Sequence, residues 1–152
     1  MKKILFTILL ILAAGLAGCT SFEEKKAEKV ITSYYDALIE GDHDTAFKNL
    51  FLYENGITTP TDLSRSEAES VYEQKMAYLD KQGYQLSDYN IRGVEYEDGH
   101  TFWHHIDVVV NIDGTRKKFT ETAFYQNGKL SVSGEDPFAQ YRDGKMDIEI
   151  EG

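Results

Sequence analysis

Few side chains in this 152-residue sequence could carry covalent or acid–base chemistry, and their spacing limits what that chemistry could be. Cys19 is the only cysteine, so no intramolecular disulfide can form and one thiol is left for modification. Two of the four histidines, His104 and His105, are adjacent. Neighbours on a strand point to opposite faces, so this pair cannot chelate one metal from a regular strand. Asp42-His43-Asp44 has metal-compatible donors but reads as a solvated junction between helices. The sequence contains no HExxH, no Cys/His cluster, no calcium-loop spacing, no phosphate-binding glycine loop and no G-x-S-x-G. Neither a metal nor a cofactor is expected. The candidates left are a carboxylate and an imidazole, Glu121 and His104, and their relation depends on the elements that hold them.

Those elements show as a change of period along the chain. Ala27, Val30, Ile31, Tyr34, Tyr35 and Leu38 recur at helical spacing, and Gly41 stops the run. A shorter helix is expected from about Asp44 to Phe51, capped by Asp42 or Asp44. Tyr53 to Asp62, with Asn55-Gly56 and Pro60, reads as a loop. A third helix starts near Ser64, where Ser64-Arg65-Ser66-Glu67 matches a capping box, and Gly83 ends it. Its buried stripe is Ala68, Val71, Tyr72, Met76 and Leu79. From Tyr84 the period falls to two. Asp98-Gly99, Asp113-Gly114 and Asn127-Gly128 divide this half into strands at about 84–97, 101–112, 115–126 and 129–134. Residues 136–152 read as a tail, either disordered or forming a last edge strand through Met146, Ile148 and Ile150. Helices first and a meandering sheet afterwards make an α+β domain over residues 27–135, its N-terminal helices packed on a curved antiparallel sheet of about four strands.

Two-residue turns fix register. With Asp113-Gly114 as such a turn, Val108 faces Phe119, Ile106 faces Glu121, His104 faces Ala123 and Phe102 faces Tyr125. With Asn127-Gly128 likewise, Tyr125 faces Leu130 and Ala123 faces Val132. Both turns therefore agree on one apolar face, broken by two polar groups, His104 and Glu121, which are diagonal neighbours. A carboxylate on a core face must be paired, hydrated or neutralised. One reading makes Glu121 and His104 the polar floor of a cavity between sheet and helix, with a tyrosine hydroxyl, from Tyr35 or Tyr125, also lining it. The plainer readings are a structural His–Glu hydrogen bond, or a Glu121 at the open end of the sheet. The opposite face carries Trp103 beside Phe124, either a partner surface or a pair covered by Phe138 or Ile148 of the tail.

The N-terminus is separate from this fold. Lys2 and Lys3 precede an apolar run, Ile4 to Leu16, too short for a comfortable membrane span and suited to a secretory signal. Leu16-Ala17-Gly18-Cys19 resembles the lipobox of bacterial lipoproteins. That likeness implies a signal peptide over residues 1–18, cleavage before Cys19, a diacylglyceryl group on its sulfur and further acylation of the new amino terminus. Residues 19–26 would be a lipidated tether, and the domain would lie outside the cytoplasmic membrane. Beyond residue 18 the chain has 14 basic and 26 acidic residues, a net charge of about −12. So acidic a surface repels nucleic acid and anionic headgroups, which leaves the lipid to hold the protein at the membrane.

The stretch from Val30 to Phe47 contains Ser33-Tyr34-Tyr35-Asp36-Ala37-Leu38 and then Gly41-Asp42-His43-Asp44. It resembles the opening of nuclear transport factor 2-like domains, in which a first helix ends in a Gly-Asp turn and feeds a short second helix. With the later helix and strands, the likeness covers about residues 24–134. It implies a cone, a curved sheet wrapped around helices and a cavity, in a superfamily of enzymes, ligand binders and assembly modules. Small exported lipoproteins form one branch, and dimerisation through the sheet is common. No position-by-position match to a catalytic motif is present, so the expected role is a non-catalytic binding or assembly module of the cell envelope, with a protein partner or a small ligand. The alternative is a carrier or enzyme using Glu121 and His104.

Overall fold

A computed structural model describes residues 22–97 and 102–150. Four helices and four strands follow in order. These are α1 (22–40), α2 (His43–Asn49), α3 (Arg65–Lys81), β1 (Tyr84–Tyr96), β2 (Phe102–Ile112), β3 (Thr115–Gln126), β4 (Lys129–Gly134) and α4 (Ala139–Arg142). The strands form one antiparallel sheet in the order β1-β2-β3-β4, so the domain is α+β.

Helix α1 is already formed at residue 22, so the expected tether through Lys26 is helix in its second half. Strong helix formers and the Lys26–Glu23 pair at 2.7 Å suit that start. The α1 stripe buries Ala27, Ile31, Tyr34 and Tyr35. Asp42 caps α2 by accepting from the N–H of Thr45 at 3.0 Å, which gives the Asp-His-Asp run a structural task. At the start of α3 the capping box forms in both directions. Ser64 Oγ accepts from the Glu67 N–H, and the Glu67 carboxylate accepts from the Ser64 N–H at 2.8 Å.

The two described hairpins have the register the turns require. Ile112 pairs with Thr115, Ile106 with Glu121, Tyr125 with Leu130 and Ala123 with Val132. Asp113 and Asn127 adopt φ of 48° and 51°, and the glycines after them 75° and 80°. Both central positions of each turn are thus left-handed, as a type I′ hairpin demands. The expected Asp98-Gly99 turn lies outside the described residues. The inner face buries Ile106, Val108, Ala123, Leu130 and Val132 against Ile31, Tyr34, Tyr35 and Met76 of the helices.

The segment after β4 departs from the expected tail. Asp136, Ala139, Arg142, Asp143 and Met146 are all buried. No edge strand forms there. Lys145 makes an isolated parallel bridge to Tyr53, with Tyr53 N–H to Gly144 O at 2.9 Å and Met146 N–H to Tyr53 O at 2.7 Å. A Cβ at Gly144 would collide with the Phe51 carbonyl, so only glycine lets the chain pass so close. The segment is core because it carries the cation that the sheet needs, as the site geometry shows.

Ser64→Ala removes one half of the capping box and is expected to cost about 1 kcal/mol in urea denaturation. Ser64→Asp, which restores an N-cap acceptor, should recover most of that loss.

Candidate functional site

Glu121 sits in the middle of β3 on the inner face and is 1 % exposed. It finds room there because its partner across the ladder is Gly134. A Cβ at that position would lie 2.5 Å from Glu121 Cγ and 2.9 Å from the Thr120 carbonyl oxygen. One carboxylate oxygen, Oε1, is bound by Nη2 of Arg142, and the other, Oε2, accepts from Tyr35 Oη at 2.7 Å. Both oxygens are therefore engaged. His104 is not its partner.

Arg142 is the centre of a wider cluster. It is fully buried at the end of α4. Its Nη2 also reaches Asp136 Oδ2 at 3.2 Å, and its Nε donates to Tyr84 Oη at 2.7 Å. Tyr84 in turn donates to Asp136 Oδ2 at 2.6 Å, and Tyr34 Oη donates to the Arg142 carbonyl at 2.7 Å. Burial pushes the Tyr34 hydroxyl up to about 12 and raises Tyr35, Tyr84 and Asp136 as well, so the tyrosines act as neutral donors. A second buried pair adjoins it through the backbone. Lys75 donates to the Asp143 and Lys145 carbonyls at 2.8 and 2.7 Å and lies 3.5 Å from Asp143 Oδ1, while Tyr53 Oη donates to Asp143 Oδ2 at 2.6 Å. Burial lowers Lys75 to about 8, against the opposing pull of Asp143.

His104 is also fully buried, beside the Phe102 ring at 5.6 Å, and neither ring nitrogen has a hydrogen-bond partner. Burial lowers its pKa, with the charges of Glu28 and Glu24 opposing and His105 assisting. It is a desolvated imidazole and shares no group with the Glu121 cluster. Tyr125 packs at the margin of the core. Trp103 and Phe124 pair on the outer face at 4.8 Å, both half-buried. Phe138 does not cover them, because it packs instead against Tyr84 at 5.5 Å on the inner side.

An open cavity of about 440 Å³ lies elsewhere, where the C-terminal ends of α1 and α3 meet the start of β1. Its buried wall is Met76, Leu79, Tyr84, Leu86 and Arg142, and its exposed rim includes Glu40 and Asp80. Glu121, His104, Tyr35 and Tyr125 do not line it. Arg142, which binds Glu121, is also among the residues of this cavity.

Arg142, Asp136, Tyr84 and Lys75 escape a reading by local pattern. One signal pointed to the first of them. A carboxylate on a core face calls for a buried cation, and Arg142 lies among Phe138, Tyr141 and Met146, apolar residues that no earlier element accounts for.

No protein-family model matches this sequence, and no curated protein matches it either.

Arg142→Met strands Glu121 and Asp136 without their cation and is expected to cost about 3–5 kcal/mol. Tyr35→Phe removes one hydrogen bond to a charged group and should cost about 1.5–3 kcal/mol. Chemical denaturation checks the order, and a smaller loss for Arg142→Met than for Tyr35→Phe would refute the central place of the guanidinium. His104 supplies a separate test. Its folded pKa lies below its ordinary value near 6.5, so the unfolded chain binds the proton first as pH falls. Stability that His104 leaves intact at neutral pH is therefore lost as pH drops through that value. Between about pH 7.5 and 5.5, His104→Leu should lose less stability than the wild type, and an equal loss would contradict the desolvated imidazole.

Proposed function

We propose that this chain is a lipid-anchored, extracytoplasmic module of a bacterial cell envelope that holds a small ligand and does not catalyse a reaction. The observation that carries this reading is the separation of chemistry from space. Among the described residues the carboxylate on the inner sheet face, Glu121, is bound at both oxygens by Arg142 and Tyr35, whereas the open cavity of about 440 Å³ has mixed polar and apolar walls and contains neither Glu121 nor His104. A volume of that size suits a small organic molecule. His104, the other acid–base candidate, is sealed away from it.

Support for the anchor comes from residues 1–19, with two lysines, a short apolar run and Leu16-Ala17-Gly18-Cys19. Among the described residues no helix is long and apolar enough to cross a membrane. Two or three acyl chains on Cys19 would hold the protein firmly, at about 0.8 kcal/mol for each buried CH₂. The architecture we assign is the nuclear transport factor 2-like cone. Its support is the Gly41-Asp42 junction between α1 and α2, the placement of all three long or capped helices before the sheet, and the β1-β2-β3-β4 meander.

Two measurements test the reading. The wild-type protein should pellet with membranes and carry a glyceride on residue 19, while Cys19→Ala should not. A small-molecule extract of the cell envelope should raise the melting temperature of the full chain, and Met76→Trp, which fills the cavity, should abolish the rise. An extract that stabilises both proteins equally, or neither, would remove the binding role.

A further inference from the structure

Lys75 is a buried amine that its ion pair does not fully use. It is 0 % exposed and comes from the interior of α3. Two of its bonds are well made, to the Asp143 and Lys145 carbonyls at 2.8 and 2.7 Å. The third contact, to Asp143 Oδ1, is 3.5 Å, long beside the roughly 2.7–2.9 Å of a charge-assisted hydrogen bond. An ammonium has three protons to place. A neutral amine has two protons and a lone pair. With the two carbonyls taking two protons, the lone pair is left toward the Asp143 carboxyl group.

The surroundings favour the uncharged pair. Burial lowers Lys75 to about 8 and raises Asp143 above its ordinary range, while each opposes the shift of the other. Lys145 lowers Lys75 further, the exposed Asp147 raises it, and Arg142 lowers Asp143. The other carboxyl oxygen, Oδ2, accepts from Tyr53 Oη at 2.6 Å. Burial raises that hydroxyl, so it stays a neutral donor. A desolvated amine, a carboxyl group beside it and a donor on the far oxygen are the parts that amide formation needs.

We propose that Lys75 and Asp143 condense after folding into an isopeptide bond, which fastens α3 to the segment behind α4. Nζ of the neutral amine adds to Cγ of the protonated carboxyl group. The Nζ–Cγ bond forms and the Cγ–Oδ2 bond breaks. Oδ2 leaves as water, with the acid proton and one proton from Nζ, so no oxidant or co-reactant is required. Tyr53 steadies Oδ2 as charge gathers on it. The amide keeps one N–H, enough for one of the two carbonyls. The linked residues are 68 positions apart, in a chain whose lone cysteine can make no internal disulfide. Such a link restricts the unfolded chain as a disulfide does.

The full wild-type chain tests this without any variant, and the test needs neither the anchor nor a ligand. Trypsin cuts after a free lysine. In the denatured and digested protein, residues 66–81 should remain uncut at Lys75 and joined to residues 143–145, with the mass of the two peptides less one water. Cleavage after Lys75 with a free 143–145 peptide overturns the proposal. Loss of water from Asp143-Gly144 with Lys75 still cleavable marks a local imide and overturns it equally. Lys75→Arg, which keeps a cation beside Asp143, should lack the joined peptide and melt at a lower temperature. Tyr53→Phe should slow the appearance of the joined peptide after synthesis, followed by pulse labelling, by about a hundredfold. An unchanged rate removes Tyr53 from the step.

Discussion

The structure depends on one buried guanidinium. Arg142 joins β3 through Glu121, the turn after β4 through Asp136, and β1 through the Tyr84 hydroxyl, and its own carbonyl is held by Tyr34 of α1. Taking such charges out of water is expensive, and their attraction offsets that cost only where every remaining lone pair is satisfied. Here the tyrosines do this for the carboxylates, while Nη1 of Arg142 is left without a partner. Tyr34, Tyr35 and Tyr84 each give a hydroxyl hydrogen to the cluster or to its backbone, and their rings pack in the same core, Tyr34 and Tyr35 edge to face at 5.0 Å. The apolar core and the polar cluster are therefore one object, built from residues that have a greasy body and a polar tip.

That arrangement explains why the last fifteen described residues are not an appendage. A sheet with Glu121 at the centre of its inner face cannot close on α1, α2 and α3 alone, because the cation that binds that carboxylate, Arg142, comes from α4. Lys75 of α3 is buried too, but it is directed to the Asp143 carboxylate and to two carbonyls of the same segment. Both buried cations thus converge on residues 136–145. One supplies charge from that segment to the sheet, and the other holds the segment in place. The bridge of Lys145 to Tyr53 and the close pass of Gly144 by Phe51 complete the attachment.

How much of this was legible in the sequence follows from the range of each signal. Helix stripes, the Ser64 capping box and the two hairpin turns are local, and a turn that fixes register determines every facing along its strands. For that reason the pairing of Ile106 with Glu121, and the placement of Glu121 and His104 on a core face, could be worked out from two dipeptides. The partners of those groups could not. Arg142 lies 21 residues beyond Glu121, and Tyr35 lies 86 before it. Nothing in either spacing specifies contact. His104 shows the opposite limit. Its facing was legible, yet the polar neighbour that its position suggests is occupied by others, and it remains an imidazole in an apolar corner. The cavity was the least legible feature, because it forms where three element ends meet, and element ends leave no periodic trace.

The cluster sets two carboxylates and three tyrosines around one arginine, and one arginine nitrogen, Nη1, is buried without a hydrogen-bond partner. Both oxygens of Glu121 are held, one by Arg142 and the other by Tyr35, and Glu121 does not line the cavity. Three bonds hold the guanidinium, to Tyr84, Glu121 and Asp136, and a fourth, from Tyr34, holds the Arg142 carbonyl, so β1, β3, the turn after β4 and α1 fix its direction together. Glu121 and Arg142 are thus each other's condition for burial, and removing either alone would strand the other's charge in the core.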